Sequence, residues 1–280
     1  MSDAKGSLWI VATPLGNPGD FSSRAREILS RVGLVLCEDT RRAARLFADQ
    51  GLPRGRFLSF YDHNEEGRLP QILDHLAKGE DAALISDAGT PALSDPGYLL
   101  ARAAREAGFP VRPVPGPSAI TAALCASGLP PQPFAFLGFL PRKSGDIRQT
   151  FGRFAAARCA LVFFERKDRL AKSLRLAREI LGERECVIAR ELTKTHEEFI
   201  SGGLGEFAGR EFELLGEVTV VIGPELETPV VAEDQMERTI AEELALGGKP
   251  REIARRIAAR LPGVAVKDVY ERITAIPKSD

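Results

Sequence analysis

The chain has 280 residues, 44% of them hydrophobic and 28% charged, with a net charge of −1 at pH 7. That apolar content suffices for the core of one large or two medium domains, and no apolar run approaches the ~20 residues that span a bilayer. The N-terminus MSDAKGS carries no apolar signal core, the four cysteines form no CxxC pair and the three histidines no HExxH, so the expectation is a cytoplasmic protein with buried, reduced thiols and no zinc site.

In chain order, short apolar runs alternate with amphipathic segments up to residue 127. Leu8–Ala12 reads as a strand and Ser22–Val32 as a helix. Leu34–Cys37 precedes a helix over Arg41–Ala48, and Arg56–Phe60 precedes one over Glu66–Lys78. Ala82–Ile85 precedes Tyr98–Ala107, and Val111–Val114 precedes Ser118–Ser127, with Ser118 as the helix cap. Such alternation predicts an open parallel α/β sheet. The proline-rich GLPPQPF (128–134) reads as a linker. Beyond it, strands are expected over Phe134–Phe139, Ala160–Phe164, Cys186–Arg190 and Glu217–Ile222, with helices over Asp146–Ala157 and Asp168–Leu181. A second linker is expected at 224–234. Three short helices then follow over Asp234–Leu246, Lys249–Leu261 and Val266–Ile273, a unit of helix-turn-helix character.

Charge is segregated along the chain. Residues 142–178 hold eleven Lys/Arg against three Asp/Glu, and residues 225–243 hold seven acidic residues against one basic. On the helix expected over 168–181, Arg169, Lys172, Arg175 and Arg178 recur every three residues and form a basic face. With Arg142 and Lys143 nearby, this face suits nucleic-acid phosphates. An ordinary solvated face is the alternative.

Three strand-to-loop transitions carry small residues and prolines: TPLGNPGD (13–20), SDAGTPALSD (86–95) and PGPSA (115–119). They expose backbone amides and carbonyls at strand ends and imply one cleft shared by several loops. Asp87 and Asp95 add charge there. GLGEFA (203–208) fits G-x-G-x-x-A, but no clear strand is expected to lead into it, so the match to a dinucleotide fingerprint is weak. No P-loop or GxSxG pattern is present.

The segments LWIVATPLGNPGD (8–20), CEDTRRAARLF (37–47), YDHNE (61–65), ALISDAGTPALSDPGY (83–98), VPGPSAITAALCASGLP (114–130), FLGFLPRK (136–143), FFERKDRL (163–170) and RELTKTHEE (190–198) together resemble the tetrapyrrole methylase superfamily of S-adenosylmethionine enzymes. Within it they resemble the branch that methylates ribose 2′-hydroxyls of 16S ribosomal RNA. FFERKDRL departs from that branch, where the segment more often reads FYESPHRL. The resemblance implies an α/β, two-domain tetrapyrrole methylase-like fold with a small C-terminal helical unit. Its parts would be an N-terminal α/β domain over 1–128, a second α/β domain over 129–226 and the helical unit over 230–280. S-adenosylmethionine would lie in the cleft, the small ribosomal subunit would be the partner, and a homodimer is common in the family.

The resemblance also carries cofactor-binding roles onto Leu15, Gly16, Asp87, Thr90, Ser94, Ser118 and Ala119, with Phe164 walling the adenine. Asp87 and Ser118 also read as plain turn and cap residues. Removing a ribose proton calls for a lysine or carboxylate close to the oxygen. Lys194, Glu191, Asp39, His63 and Glu38 are the candidates, and each serves equally in a salt-bridge network with Arg41 and Arg190. RNA contacts fall to Arg169, Lys172, Arg175, Arg142 and Lys143. The alternatives are carbon methylation of a corrinoid or sirohaem precursor, and a non-catalytic RNA-binding protein.

Overall fold

A computed structural model describes residues 5–212, 216–225, 233–261 and 263–275. The first sheet is built from β1 (Leu8–Val11), β2 (Leu34–Cys37), β3 (Phe57–Ser59), β4 (Ala82–Ile85) and β5 (Val111–Val114), ordered β3-β2-β4-β1-β5 and parallel throughout. Its central runs are apolar because both faces are covered. Helices α1 (Ser23–Arg31) and α2 (Thr40–Asp49) cover one face. Helices α3 (Glu65–Ala77) and α4 (Tyr98–Glu106) cover the other. Pro113 falls on the edge strand β5, where a missing N–H is tolerated. Gly97 cannot cap α4 with a side chain. The buried Glu65 carboxylate does so from α3, accepting from the Leu100 amide at 3.0 Å.

Helix α5 (Ala119–Ala126) follows β5 and packs onto the second sheet. That sheet comprises β6 (Phe134–Phe139), β7 (Ala160–Arg166), β8 (Glu185–Arg190), β9 (Glu198–Gly203) and β10 (Glu217–Ile222), ordered β6-β7-β10-β8-β9. Only β6 and β7 run parallel; the other pairings are antiparallel. Strand alternation sends Leu161 and Phe163 towards helices α6 (Ser144–Gly152), α7 (Lys167–Leu181) and α8 (Leu204–Ala208). Ala160, Val162 and Phe164 face α5 instead. The Phe151 and Phe163 rings meet edge to face at 5.8 Å, and each contributes about 2–3 kcal/mol by its burial.

Both sheets belong to one compact unit, Met1–Glu225; a second unit covers Leu226–Asp280. The second unit packs α9 (Glu233–Ala245), α10 (Pro250–Arg260) and α11 (Val266–Ala275) around Met236, Ile240, Ile253, Ile257, Leu261, Val269 and Ile273. The buried Glu243 joins two of these helices by pairing with Arg256 at 2.6 Å and Arg260 at 2.8 Å. Most of the linker expected at 224–234 lies outside the described residues. Among those described, no helix is long and apolar enough to cross a membrane.

Several expectations are corrected. Helix α6 stops at Gly152 instead of Ala157: after this poor helix former the chain continues in three-residue turns, Phe154 to Phe151, Ala155 to Gly152 and Ala157 to Phe154, and Arg184 donates to the Ala155 carbonyl at 2.9 Å. Strand β9 was not anticipated, and it leads directly into GLGEFA. Those glycines serve packing: a Cβ on Gly203 would lie 2.7 Å from the Glu183 carboxylate, and one on Gly205 would lie 2.5 Å from it. Cys125 is exposed, because α5 turns Ile120, Ala123 and Leu124 inward instead; Cys37, Cys159 and Cys186 are buried.

Candidate active site

The carboxyl ends of parallel strands open into a crevice where the strand order reverses. Here the loops after β1, β4 and β5 are tied together. Thr13 and Gly89 exchange backbone bonds of 2.8 and 3.0 Å, and Thr90 Oγ1 donates to the Pro117 carbonyl at 2.9 Å. The cleft-facing side of β7, β8 and β10 forms the opposite wall. Between them lies a cavity of about 650 Å³, within the range of small-molecule sites.

Leu15, Asp87, Thr90, Ser94, Ser118, Ala119 and Phe164 all line this cavity, as do Glu191 and Lys194. Ser118 occupies the cap position of α5, yet its side chain makes no capping bond, contrary to the cap expected from sequence. Gly16 does not line the cavity. It lies beneath Lys194, whose Cγ would stand 2.3 Å from a Cβ at position 16. Lys194 reaches Glu191 with an Nζ–Oε1 distance of 3.0 Å. Glu191 and Thr193 hold positive φ of 49° and 65°, a strained path for non-glycine residues. Hydrogen bonds hold that path: the Thr193 amide donates to Glu197 at 2.6 Å, and the Asn17 amide donates to Thr193 Oγ1 at 3.2 Å.

Three other candidates are placed elsewhere. Asp39 lies outside the cavity lining and caps α2, accepting from the Arg41 amide at 2.8 Å and from the Arg41 guanidinium. Those bonds hold its pKa down at about 2, so at neutral pH it is a poor proton acceptor. His63 is also absent from the lining, exposed and edge-on to Tyr61. Arg169 turns inward, donating to the Leu140 and Pro141 carbonyls and standing 3.4 Å from the fully buried Glu165. Lys172, Arg175, Arg142 and Lys143 are exposed, while Arg178 pairs with Glu183 at 2.9 Å. Arg190 pairs with Glu198 across β8 and β9.

The sequence reading did not single out Arg42, Leu93 or Phe139, and it noted Asp95 without giving it a role. All four line the cavity. Their signal was position within the matched segments. Arg42 Nη1 pairs with Asp87 at 2.9 Å. Glu38, Asp87 and Asp95 converge from the ends of β2 and β4. Burial, reinforced by Glu38, Asp87 and Asp62, raises the Asp95 pKa to about 7, against an opposing bond from Ser86. Burial, then Asp87, raises Glu38 as well. Burial, then the neighbouring carboxylates, pushes the Cys37 thiol up to about 12, which leaves it inert. A cation entering this cavity meets carboxylates already arranged for it.

The Asp95 shift has a sign that can be measured. In the unfolded chain its carboxyl titrates near ~3.9; in the fold it titrates at about 7. Below pH ~4 it is protonated in both states and costs nothing. Through pH 4–7 folding increasingly opposes its ionisation, and above that range the cost is complete. Asp95→Asn is therefore expected to gain thermal stability over wild type as pH rises from 4 to 7, then hold a constant margin. Melting curves in half-unit pH steps check this, and parallel curves throughout would contradict it.

Comparison with known proteins shows what this chain is similar to. Residues 7–208 match the model of the tetrapyrrole (corrin/porphyrin) methylases. The chain is 41% identical to ribosomal RNA small subunit methyltransferase I of Micromonospora olivasterospora, over 96% of this chain and 86% of that protein. The same-named protein of Xylella fastidiosa is also 41% identical, over 95% and 98% of the two chains. Among solved structures, uroporphyrin-III C-methyltransferase from Thermus thermophilus complexed with S-adenosylhomocysteine superposes with a TM-score of 0.57 at 20% identity, covering 78% of this chain and 97% of that one. The methyltransferase CobJ gives a TM-score of 0.60 at 19% identity, covering 79% and 95%. These two likenesses show the fold alone.

Proposed function

The chain belongs to the tetrapyrrole methylase family, and from that premise we propose that it methylates 16S ribosomal RNA at the ribose 2′-hydroxyl of a decoding-centre cytidine. The observation that carries this reading is similarity across almost the whole chain, the C-terminal helices included, to ribosomal RNA methyltransferases at 41% identity. The tetrapyrrole enzymes share the fold at about half that identity.

The donor set fits S-adenosylmethionine. The cavity joins carboxylates, suited to a cationic ligand, to an aromatic wall at Phe164. At Gly89, with φ of 81°, a Cβ would approach Leu15 to 3.1 Å, so glycine lets the loops after β1 and β4 close on each other beside the cavity. Leu15, Asp87, Thr90, Ser94, Ser118, Ala119 and Phe164 would hold the cofactor, while Gly16 makes room for the Lys194 side chain. When bound, S-adenosylmethionine supplies an electrophilic methyl group on a sulfonium. Lys194 and Glu191 are the chain's own groups for the hydroxyl: the ammonium stabilises a developing 2′-oxyanion, or the paired groups take its proton. Holding the oxygen in line supplies much of the remaining rate. The active form is read as a homodimer, on the family resemblance.

Methyl transfer from labelled S-adenosylmethionine to unmodified 30S subunits tests the reaction, with the label mapped to one nucleotide. Label entering a tetrapyrrole acceptor and not the subunit would favour the carbon-methylating alternative.

The RNA surface is read as Arg142, Lys143, Lys172 and Arg175, all exposed; Arg169 drops out because it is committed to Glu165 and the loop carbonyls. Reversing these four charges to Glu is expected to raise KM for the subunit at least about tenfold and leave cofactor affinity intact. Each lost phosphate contact also flattens the salt dependence of RNA binding by about 0.7 in log–log slope. An unchanged slope would reduce this surface to a solvated face.

A further inference from the structure

The rim of the cavity holds an exposed ring that cofactor binding and proton transfer leave without a task. Phe139 lines the cavity yet is 43% exposed, and Leu93, also on the lining, is 46% exposed. Both apolar side chains are therefore open to a ligand that enters the mouth.

Backbone features set Phe139 and Leu93 at this rim. The pairing of β6 with β7 shifts register between Phe136 and Phe139, a bulge that re-aims the side chains beyond it. Gly138 makes this possible at φ 66°, and a Cβ there would lie 3.1 Å from Ser94 Oγ, so the bulge abuts the loop that carries Leu93. Ala92 and Ser94, flanking Leu93, hold positive φ of 66° and 71°. Strain of this kind persists where surrounding structure imposes it, and it clusters at ligand clamps.

The strip after Phe139 is fixed as well. Arg169 donates to the Leu140 and Pro141 carbonyls and stands beside Glu165, which accepts from Ser173 Oγ at 2.6 Å. Arg142 and Lys143, exposed, follow at once. An aromatic ring at the mouth and two exposed cations three and four residues on thus share one ordered strip. The Phe139 ring stands 5.4 Å from that of Phe164, so the mouth is continuous with the cofactor wall.

We propose that Phe139, opposed by Leu93, is the stacking platform for the base of the target nucleotide, splayed from its RNA strand, while Arg142 and Lys143 hold the adjoining phosphates. Unstacked bases are commonly received on aromatic faces, and basic groups track the backbone beside them. This rests on the RNA-methylation reading above. Arg169 is a positioning residue for the strip.

The test is methyl transfer to 30S subunits at varied subunit concentration, with calorimetric titration of S-adenosylmethionine on the same preparations. Phe139→Ala is expected to raise KM for the subunit about tenfold with cofactor affinity within twofold of wild type, and Phe139→Tyr is expected to restore KM. Arg169→Gln is expected to raise KM similarly; Arg169→Lys, which keeps a donor to the carbonyls, is expected to recover part of it. Cofactor affinity falling in step with loss of the ring would place Phe139 against the adenine and overturn the platform. So would an unchanged KM in Phe139→Ala while wild type methylates the subunit. Wild type that does not methylate the subunit overturns the RNA reading itself, and the platform with it.

Discussion

Lys194→Met is expected to lower kcat about a hundredfold or more while S-adenosylmethionine affinity holds. The side chain lines the cavity, crosses Gly16 and ends 3.0 Å from the Glu191 carboxylate. Methionine keeps the apolar stem that covers Gly16 and removes only the ammonium. What is lost is the charge that would face a developing oxyanion, worth about 10²–10³ in kcat at comparable sites. A lysine that merely braced the loop predicts the opposite: a lower melting temperature with a near-normal rate per folded molecule. Single-turnover rates and melting temperatures on one preparation separate the two. A pH–rate profile that changes shape assigns proton transfer to the pair, and a uniform drop assigns electrostatic stabilisation. Gly16→Ala probes the same contact from below. Its Cβ has no room under the Lys194 stem, so the lysine must shift, and kcat is expected to fall without loss of the ammonium.

Ser118→Trp is expected to abolish measurable cofactor binding, and Asp87→Ala to weaken it at least about tenfold. Ser118 stands where the loop after β5 enters α5, with no capping bond to lose, so the substitution fills the cavity without unmaking a helix end. Asp87 pairs with Arg42, which is largely exposed and readily solvated when left alone. Its loss therefore removes a cleft carboxylate at little cost to stability. Calorimetric titration reads both. Unchanged affinity in both variants would move the cofactor elsewhere.

Strand positions were legible because their physics is local. Leu34–Cys37, Ala82–Ile85 and Val111–Val114 coincide with β2, β4 and β5, and Phe134–Phe139 with β6. Apolar runs bounded by turn residues have few alternatives. Strand β9 was not legible. EFISGG pairs only with β8 at a sheet edge, is half exposed and ends in two glycines, so its period-two signal is weak. The end of α6 differs because the alanines after Gly152 read as helix by propensity, while the chain there takes three-residue turns.

The loops that line the cavity belong to the same local class. Small residues at the ends of parallel strands face a cleft by topology, and Leu15, Asp87, Thr90, Ser94, Ser118 and Ala119 duly share one cavity. The roles of the charged residues do not. Asp39 and Glu38 are neighbours in the chain, yet one caps a helix and the other faces the cavity. Arg169 and Lys172 share a helix, yet one turns to the carbonyls at the cavity rim while the other meets solvent. By itself, the sequence determines the apolar pattern, and with it most of the strands and helices and the sheet edge at which the cavity opens. Which charges enter the site, which brace it and which raise one another's pKa is decided only by the tertiary structure. A charged group is assigned by its partners, and here those partners come from distant strands and loops.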